Sequence, residues 1–66
     1  MKQIQQTLEE IEKELENSPE DPDLLNESGV GYHVMGDYGN AISQFQKAIK
    51  ADPGTASYYY NLANSY

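Results

Sequence analysis

The sequence matches itself when it is displaced by 34 residues. The matched pairs are Pro19 and Pro53, Leu25 and Tyr59, Gly29 and Ala63, Tyr32 and Tyr66, Ile4 and Tyr38, Leu8 and Ile42, Ile11 and Phe45, and Leu15 and Ile49. A fixed period of this length is typical of stacked helical hairpins. Because each hairpin contacts only its neighbours, such repeats build extended surfaces rather than catalytic clefts.

The small size and acidic charge of the chain exclude several classes of function. A chain of 66 residues forms one unit, with a core worth about 3–5 kcal/mol, and leaves no room for a large enzyme cleft. Its formal net charge is −7, and its only cationic side chains besides the single histidine are four lysines. Nucleic-acid binding requires clustered Lys or Arg, and so does binding to anionic membranes. We therefore expect neither partner.

The chain contains no cysteine, which excludes disulfides and thiolate metal sites. Its N-terminus lacks the apolar segment of a signal peptide, and no apolar run approaches the roughly 20 residues of a membrane span. These features favour a cytoplasmic location.

Apolar spacing and helix caps predict four helices. An apolar stripe at helical period runs from Met1 to Leu15, and a helix-terminating segment follows it at 17–19. The second helix is predicted from Pro22 to Met35, with Asp21 as its N-cap. Gly36 is expected to end it.

The third helix is predicted from Tyr38 to Ala51, with Asp37 as its N-cap. The fourth is predicted to begin near Ala56 and to reach Tyr66. Glycines inside the second helix, at positions 29 and 31, each cost about 1 kcal/mol relative to alanine. We expect a closely approaching helix to compensate for that cost.

The motif that runs from Leu25 to Pro53 closely resembles a tetratricopeptide repeat. Its matching positions are Leu25, Gly29, Tyr32, Gly36, Asp37, Tyr38, Ala41, Ile42, Phe45, Ala48, Ile49, Asp52 and Pro53. The resemblance implies an all-α fold of antiparallel hairpins stacked as an α-solenoid fragment. It also implies that residues 1–66 form one unit, comprising a terminal or degenerate helix at 1–17, a full repeat at 22–55 and the first helix of a following repeat at 56–66.

Three residues depart from this pattern. Thr7 and Glu14 stand where the family has alanine, and Ser28 stands where it usually has a large aliphatic residue. The helices follow one another in the order second-type, first-type, second-type, first-type, which is offset by half a repeat. This order is compatible with an excerpt from a longer array and with two chains that complete each other.

The repeat pattern predicts where the aromatic side chains lie. Tyr32 and Phe45 are expected in the core beside two small residues of the third helix, Ala41 and Ala48. Among the three successive tyrosines of the fourth helix, we expect Tyr59 in the core, Tyr60 in the inner groove and Tyr58 nearer an interface.

No arrangement of residues indicates catalysis, a metal site or a cofactor. His33 is the only histidine, with Asp37 four residues later, but no motif supplies a nucleophile to this pair. A lone histidine is usually a surface residue. The glutamates at 9–16 are interpreted as a solvated helix face. We therefore expect that the chain is not an enzyme.

The resemblance implies a scaffold that binds a protein or peptide on its inner helical face, through Asn26, Val30, His33, Tyr60 and Asn64. That face carries no Lys or Arg, so recognition of a C-terminal carboxylate is disfavoured and a neutral or basic segment is favoured. The alternative is a self-assembly module that buries its exposed terminal helices. In that case we expect a homo-oligomer, most simply a dimer, with an interface formed by Tyr59, Leu62 and Tyr66.

Overall fold

The computed structural model describes the backbone of residues 2–66 and the side chains of residues 7–66. Met1 and Ile4, which begin the predicted stripe of the first helix, lie outside the described side chains. The described backbone forms helices α1 (Lys2–Asn17), α2 (Pro22–Val34), α3 (Tyr38–Ala51) and α4 (Ala56–Ser65). Loops of three or four residues join consecutive helices, and such short loops place them antiparallel. The predicted all-α fold is confirmed.

The predicted helix caps are confirmed. The Asp21 carboxylate accepts hydrogen bonds from the backbone N–H groups of Asp23 and Leu24. Asp37 likewise accepts from the N–H of Asn40 at the start of α3. Gly36 adopts φ 83° after α2, a left-handed conformation that only glycine takes without strain.

The core lies where α2 and α3 face each other. Ala41 and Ala48 are fully buried, and Phe45 is 1% exposed. Gly29 is the point of closest approach, because a Cβ atom built there would lie less than 3.0 Å from three carbons of the Phe45 ring. The expected compensation for a glycine within α2 is therefore confirmed at position 29.

Tyr32 differs from the expectation, because it is only half-buried. Its ring extends from α2 toward α1, and its hydroxyl donates a hydrogen bond to the Glu12 carboxylate. That hydrogen bond, together with burial and the negative charges of Glu12 and Asp37, raises the pKa of Tyr32 from 10.0 to about 12.

This elevated pKa makes the packing of α1 on α2 sensitive to alkaline pH. Because the pKa is higher in the folded chain, the stabilisation by Tyr32 is complete below pH 10 and is lost as the pH rises through 12. We expect the free energy of unfolding to fall more steeply over that interval in the parent chain than in Tyr32→Phe. Chemical unfolding at several pH values measures the difference.

The Glu12→Gln variant tests the cause of the shift. Removing the carboxylate should move the pKa of Tyr32 back toward its ordinary value of 10.0, as followed by phenolate absorbance. A tyrosine titration curve that superposes on that of the parent chain would contradict the assigned contact.

Candidate functional site

A concave groove lies between α2 and α4 and encloses about 210 Å³. Val30 and His33 line it from α2, Asn61 and Asn64 line it from α4, and Phe45 lies at its base. Both helices pack on α3 and contact each other, so they share one face of the fold. The groove therefore combines an apolar base with amide walls.

Three of the five predicted partner-binding residues, Val30, His33 and Asn64, line this groove. Asn26 is half-buried, and its side-chain oxygen accepts a hydrogen bond of 2.9 Å from the amide of Asn61. Tyr60 is 69% exposed on α4 and is not among the residues that line the groove. The contribution of each residue to partner binding stays a prediction.

Asn61 is absent from the residues that the sequence predicts for the inner face. It is a groove residue that also joins α2 to α4 through its bond to Asn26. Its spacing could have revealed it, because Asn61 lies four residues after Ser57 and three before Asn64, on one helical face. When the sequence is shifted by 34 residues, Asn26 aligns with Tyr60. The repeat pattern therefore predicts Tyr60 rather than Asn61 as the groove residue.

His33 is half-buried, which corrects the expectation of an ordinary surface histidine. Its Nδ1 lies 2.8 Å from the hydroxyl of the buried Ser65. Its ring also meets Tyr38 edge-on, at 5.1 Å between centroids. His33 therefore connects α2 with α4 and with the start of α3.

The Asp37 carboxylate is engaged with α3 rather than with His33. It accepts hydrogen bonds from the backbone N–H and the side-chain amide of Asn40. Across the described residues, no three His, Asp or Glu side chains come together in a way that could hold a metal ion. The groove as described can bind through hydrogen bonds and apolar contact.

The positions of Tyr58 and Tyr59 are the reverse of the expectation. Tyr58 is 3% exposed, whereas Tyr59 is 48% exposed. The hydroxyl of Tyr58 donates a 3.0 Å hydrogen bond to Asp23 on α2. Burial first, and then this bond to Asp23, raises the pKa of Tyr58. Tyr58 thus anchors the N-terminal end of α4 to α2.

Of the remaining predicted interface residues, Leu62 lies in the C-terminal half of α4 and Tyr66 directly follows the helix. Leu62 is half-buried, while Tyr66 is 79% exposed. A separate apolar groove of about 490 Å³ lies between α1 and α2. Its lining residues are Thr7, Leu8, Ile11, Glu27, Val30, Gly31 and Val34.

A comparison with known families agrees with this geometry. The family model described as TPR repeat matches residues 29–66, which is more than half of the chain. The chain belongs to the TPR repeat family. No curated protein matches the chain.

TPR repeats are helical solenoid units that generally mediate protein–protein interactions and are typically not catalytic. Membership therefore accounts for the 34-residue period, for the hairpin of α2 and α3, and for the shared face of α2 and α4. Within the described part of this TPR chain, no helix is long and apolar enough to cross a membrane.

Proposed function

We propose that the chain is a protein-interaction scaffold that binds a peptide segment in the groove between α2 and α4. Two asparagines and an apolar base lie together in one concave surface of a TPR unit. This observation is the main support for the proposal. The mechanism is passive, because binding requires only that the folded helices present these side chains together. No bond is made or broken.

The amide groups suit the backbone of an extended peptide. An asparagine side chain has two N–H donors and one carbonyl acceptor. One N–H of Asn61 already donates to Asn26, and the remaining groups of Asn61 and Asn64 complement those of a peptide backbone. Val30 and the base formed by Phe45 supply apolar contact for one side chain of the ligand. Tyr60 supplies an exposed ring on the neighbouring turn of α4.

The size of the groove supports a peptide over a small molecule or cofactor. Its volume of about 210 Å³ lies below the roughly 300–1,000 Å³ that is usual for small-molecule sites. A volume of that size accommodates one or two side chains, while the rest of an extended ligand follows the surface. Recognition of a short linear segment fits these dimensions.

Charge favours a neutral or basic segment. The residues that line the groove include no Lys or Arg in the described part of the chain. The whole chain carries a formal charge of −7. An acidic ligand would therefore meet unfavourable potential, and a basic one would be attracted.

Selection from a random dodecapeptide library displayed on phage tests this proposal. The immobilised chain is the bait, and the Asn64→Arg variant serves for counter-selection. We expect enriched peptides to be depleted in Asp and Glu and to bind Asn64→Arg at least about tenfold more weakly, equivalent to about 1.4 kcal/mol.

Ser43→Arg is the matched control, because it adds the same charge at an exposed position of α3. It should bind the enriched peptides as the parent chain does. Enrichment of acidic peptides, equal loss of affinity in both variants, or no enrichment above the counter-selected background would overturn the proposal.

A further inference from the structure

A pocket beside the C-terminal end of α3 has a charge that is unusual for this chain. This lysine pocket encloses about 600 Å³ and is lined by Pro19, Glu20, Leu25, Lys47, Lys50 and Ala51. The whole chain has four lysines against 11 acidic residues, yet two of the lysines meet a single glutamate here. The lining of the pocket is therefore positive, within a protein whose formal charge is −7.

The lysine pocket lies inside the repeat. Its lining residues come from the loop between α1 and α2, from α2 and from α3. Among the described residues, none from the first or the last helix lines it. It also shares no lining residue with the α2–α4 groove. A ligand of the lysine pocket is therefore distinct from a peptide bound in that groove.

The two ammonium groups can act on one ligand together. Lys47 and Lys50 are three residues apart on α3, and side chains at that spacing are neighbours on one helix face, with about 5–6 Å between their Cβ atoms. Both side chains are exposed, and within the described part of the chain neither forms an ion pair. Their charges are therefore available to a ligand.

Helix stability accounts for only one of the two lysines. Lys50 lies in the last turn of α3, where a cation interacts favourably with the helix dipole. Lys47 lies outside that turn. The repeat does not account for the pair either, because the residues 34 positions earlier are Lys13 and Glu16, which have opposite charges.

Apolar surface adjoins the two charges. The buried Leu25 contributes to the lining from α2. The exposed Pro19 and Ala51 contribute from the α1–α2 loop and from the end of α3. A ligand that carries a carboxylate next to an apolar side chain therefore complements both parts of the lining.

We propose that the lysine pocket binds an acidic segment of a partner protein. Carboxylates of that segment pair with Lys47 and Lys50, and a neighbouring apolar side chain contacts Pro19 and Ala51. The pocket is thus a second binding site of the chain, and it selects a charge that the α2–α4 groove disfavours.

The exposure of the pocket favours a protein segment over a small anion. Small-molecule sites usually bury about 70–90% of the surface of their ligand. All the lining residues except Leu25 are exposed, so a small anion bound here would remain largely in water. Because a single exposed ion pair is weak, binding requires several contacts at once, and a peptide supplies them as it continues along the surface.

Glu20 opposes the binding of an acidic segment. Its carboxylate lines the same pocket and repels another carboxylate. Glu20→Gln should therefore strengthen binding, whereas Lys47→Gln and Lys50→Gln should weaken it. All three substitutions fall on exposed positions, so the fold should be retained.

Selection from a dodecapeptide library displayed on phage supplies the probe. The parent chain is the bait, and the double variant Lys47→Gln/Lys50→Gln serves for counter-selection. Peptides that bind the α2–α4 groove also bind this double variant and are therefore removed. We expect the enriched peptides to be rich in Asp and Glu, with an apolar residue beside the acidic ones. Enrichment of basic peptides, or no enrichment above the counter-selected background, would overturn the proposal.

Fluorescence anisotropy with one labelled enriched peptide measures the effect of each charge. Each single lysine variant should weaken binding about two- to fivefold, and the double variant about tenfold. Glu20→Gln should strengthen it about twofold. Raising the NaCl concentration from about 50 to about 300 mM should weaken binding to the parent chain, because salt screens charges at exposed sites.

Lys13→Gln and Glu9→Gln are the matched controls, because they remove the same charges from exposed positions of α1. Asn64→Ala is the control for the α2–α4 groove. All three should bind the labelled peptide within about twofold of the parent chain. Equal weakening by Lys13→Gln and Lys47→Gln would assign binding to the overall charge and overturn the proposal. Loss of binding in Asn64→Ala would place the peptide in the groove and would also overturn it.

Discussion

Phe45→Ala is expected to unfold the chain at room temperature. The ring is 1% exposed and lies against Gly29, between the fully buried Ala41 and Ala48. Truncating a buried phenylalanine costs about 3–5 kcal/mol, while a core of this size supplies about the same total stability. Far-ultraviolet circular dichroism should show loss of most of the helical signal and no cooperative melt.

Tyr60→Ala is the matched control for this effect, because it removes an aromatic ring that is 69% exposed. Its melting curve should lie close to that of the parent chain. A Phe45→Ala variant that melts at the same temperature as the parent would show that the ring is not the centre of the core.

Gly29→Ala is expected to destabilise the chain, although alanine is the better helix former by about 1 kcal/mol. The added Cβ atom would lie less than 3.0 Å from three carbons of the Phe45 ring. That ring is enclosed on its other sides and has little room to move. Overpacking of this kind costs about 1–3 kcal/mol, and chemical unfolding measures the change in free energy.

Gly39→Ala is the internal comparison, since a Cβ atom there meets nothing within 4 Å. This variant should be more stable than the parent chain by up to about 1 kcal/mol, opposite in sign to Gly29→Ala. Similar stabilisation by both substitutions would contradict the close approach of α2 to α3.

A double-mutant cycle isolates that contact. In a Phe45→Ile background, Gly29→Ala should be nearly neutral, because the smaller side chain vacates the space that the new methyl group needs. The coupling between adjacent residues is typically about 0.5–3 kcal/mol. Equal costs of Gly29→Ala in both backgrounds would mean that the two positions do not touch.

Local features of the sequence predicted the helices well. The predicted bounds of α3 match the structure, and those of α2 differ by one residue at the C-terminal end. The reason is that caps and stops act over a few residues: Asp21 and Asp37 bond to N–H groups of their own helices. Signals of this kind are readable without knowledge of the rest of the fold.

Burial on α4 was predicted less well, for a physical reason. The repeat pattern predicts Tyr59 in the core because it matches Leu25 at a spacing of 34 residues, and Leu25 is buried. Leu25 is buried because α3 follows α2 and covers it, whereas no described helix follows α4. The same position in the repeat is therefore core in one helix and surface in the other.

The groove was predicted in part. The repeat pattern located Val30, His33 and Asn64, three of the residues that line the groove. It did not find Asn61, whose bond to Asn26 joins residues 35 apart. Contacts of that kind depend on how neighbouring helices are staggered, which the repeat pattern does not encode.

Amide chemical-shift mapping tests most directly whether the α2–α4 groove binds a peptide. The ¹⁵N-labelled chain is titrated with an enriched dodecapeptide, at a concentration low enough that the chain is monomeric. We expect saturable shifts concentrated at the groove, with little change along the exposed face of α1. The residues expected to shift are Val30, His33, Asn61 and Asn64. Shifts that concentrate on α1, or that spread evenly over the chain, would contradict it.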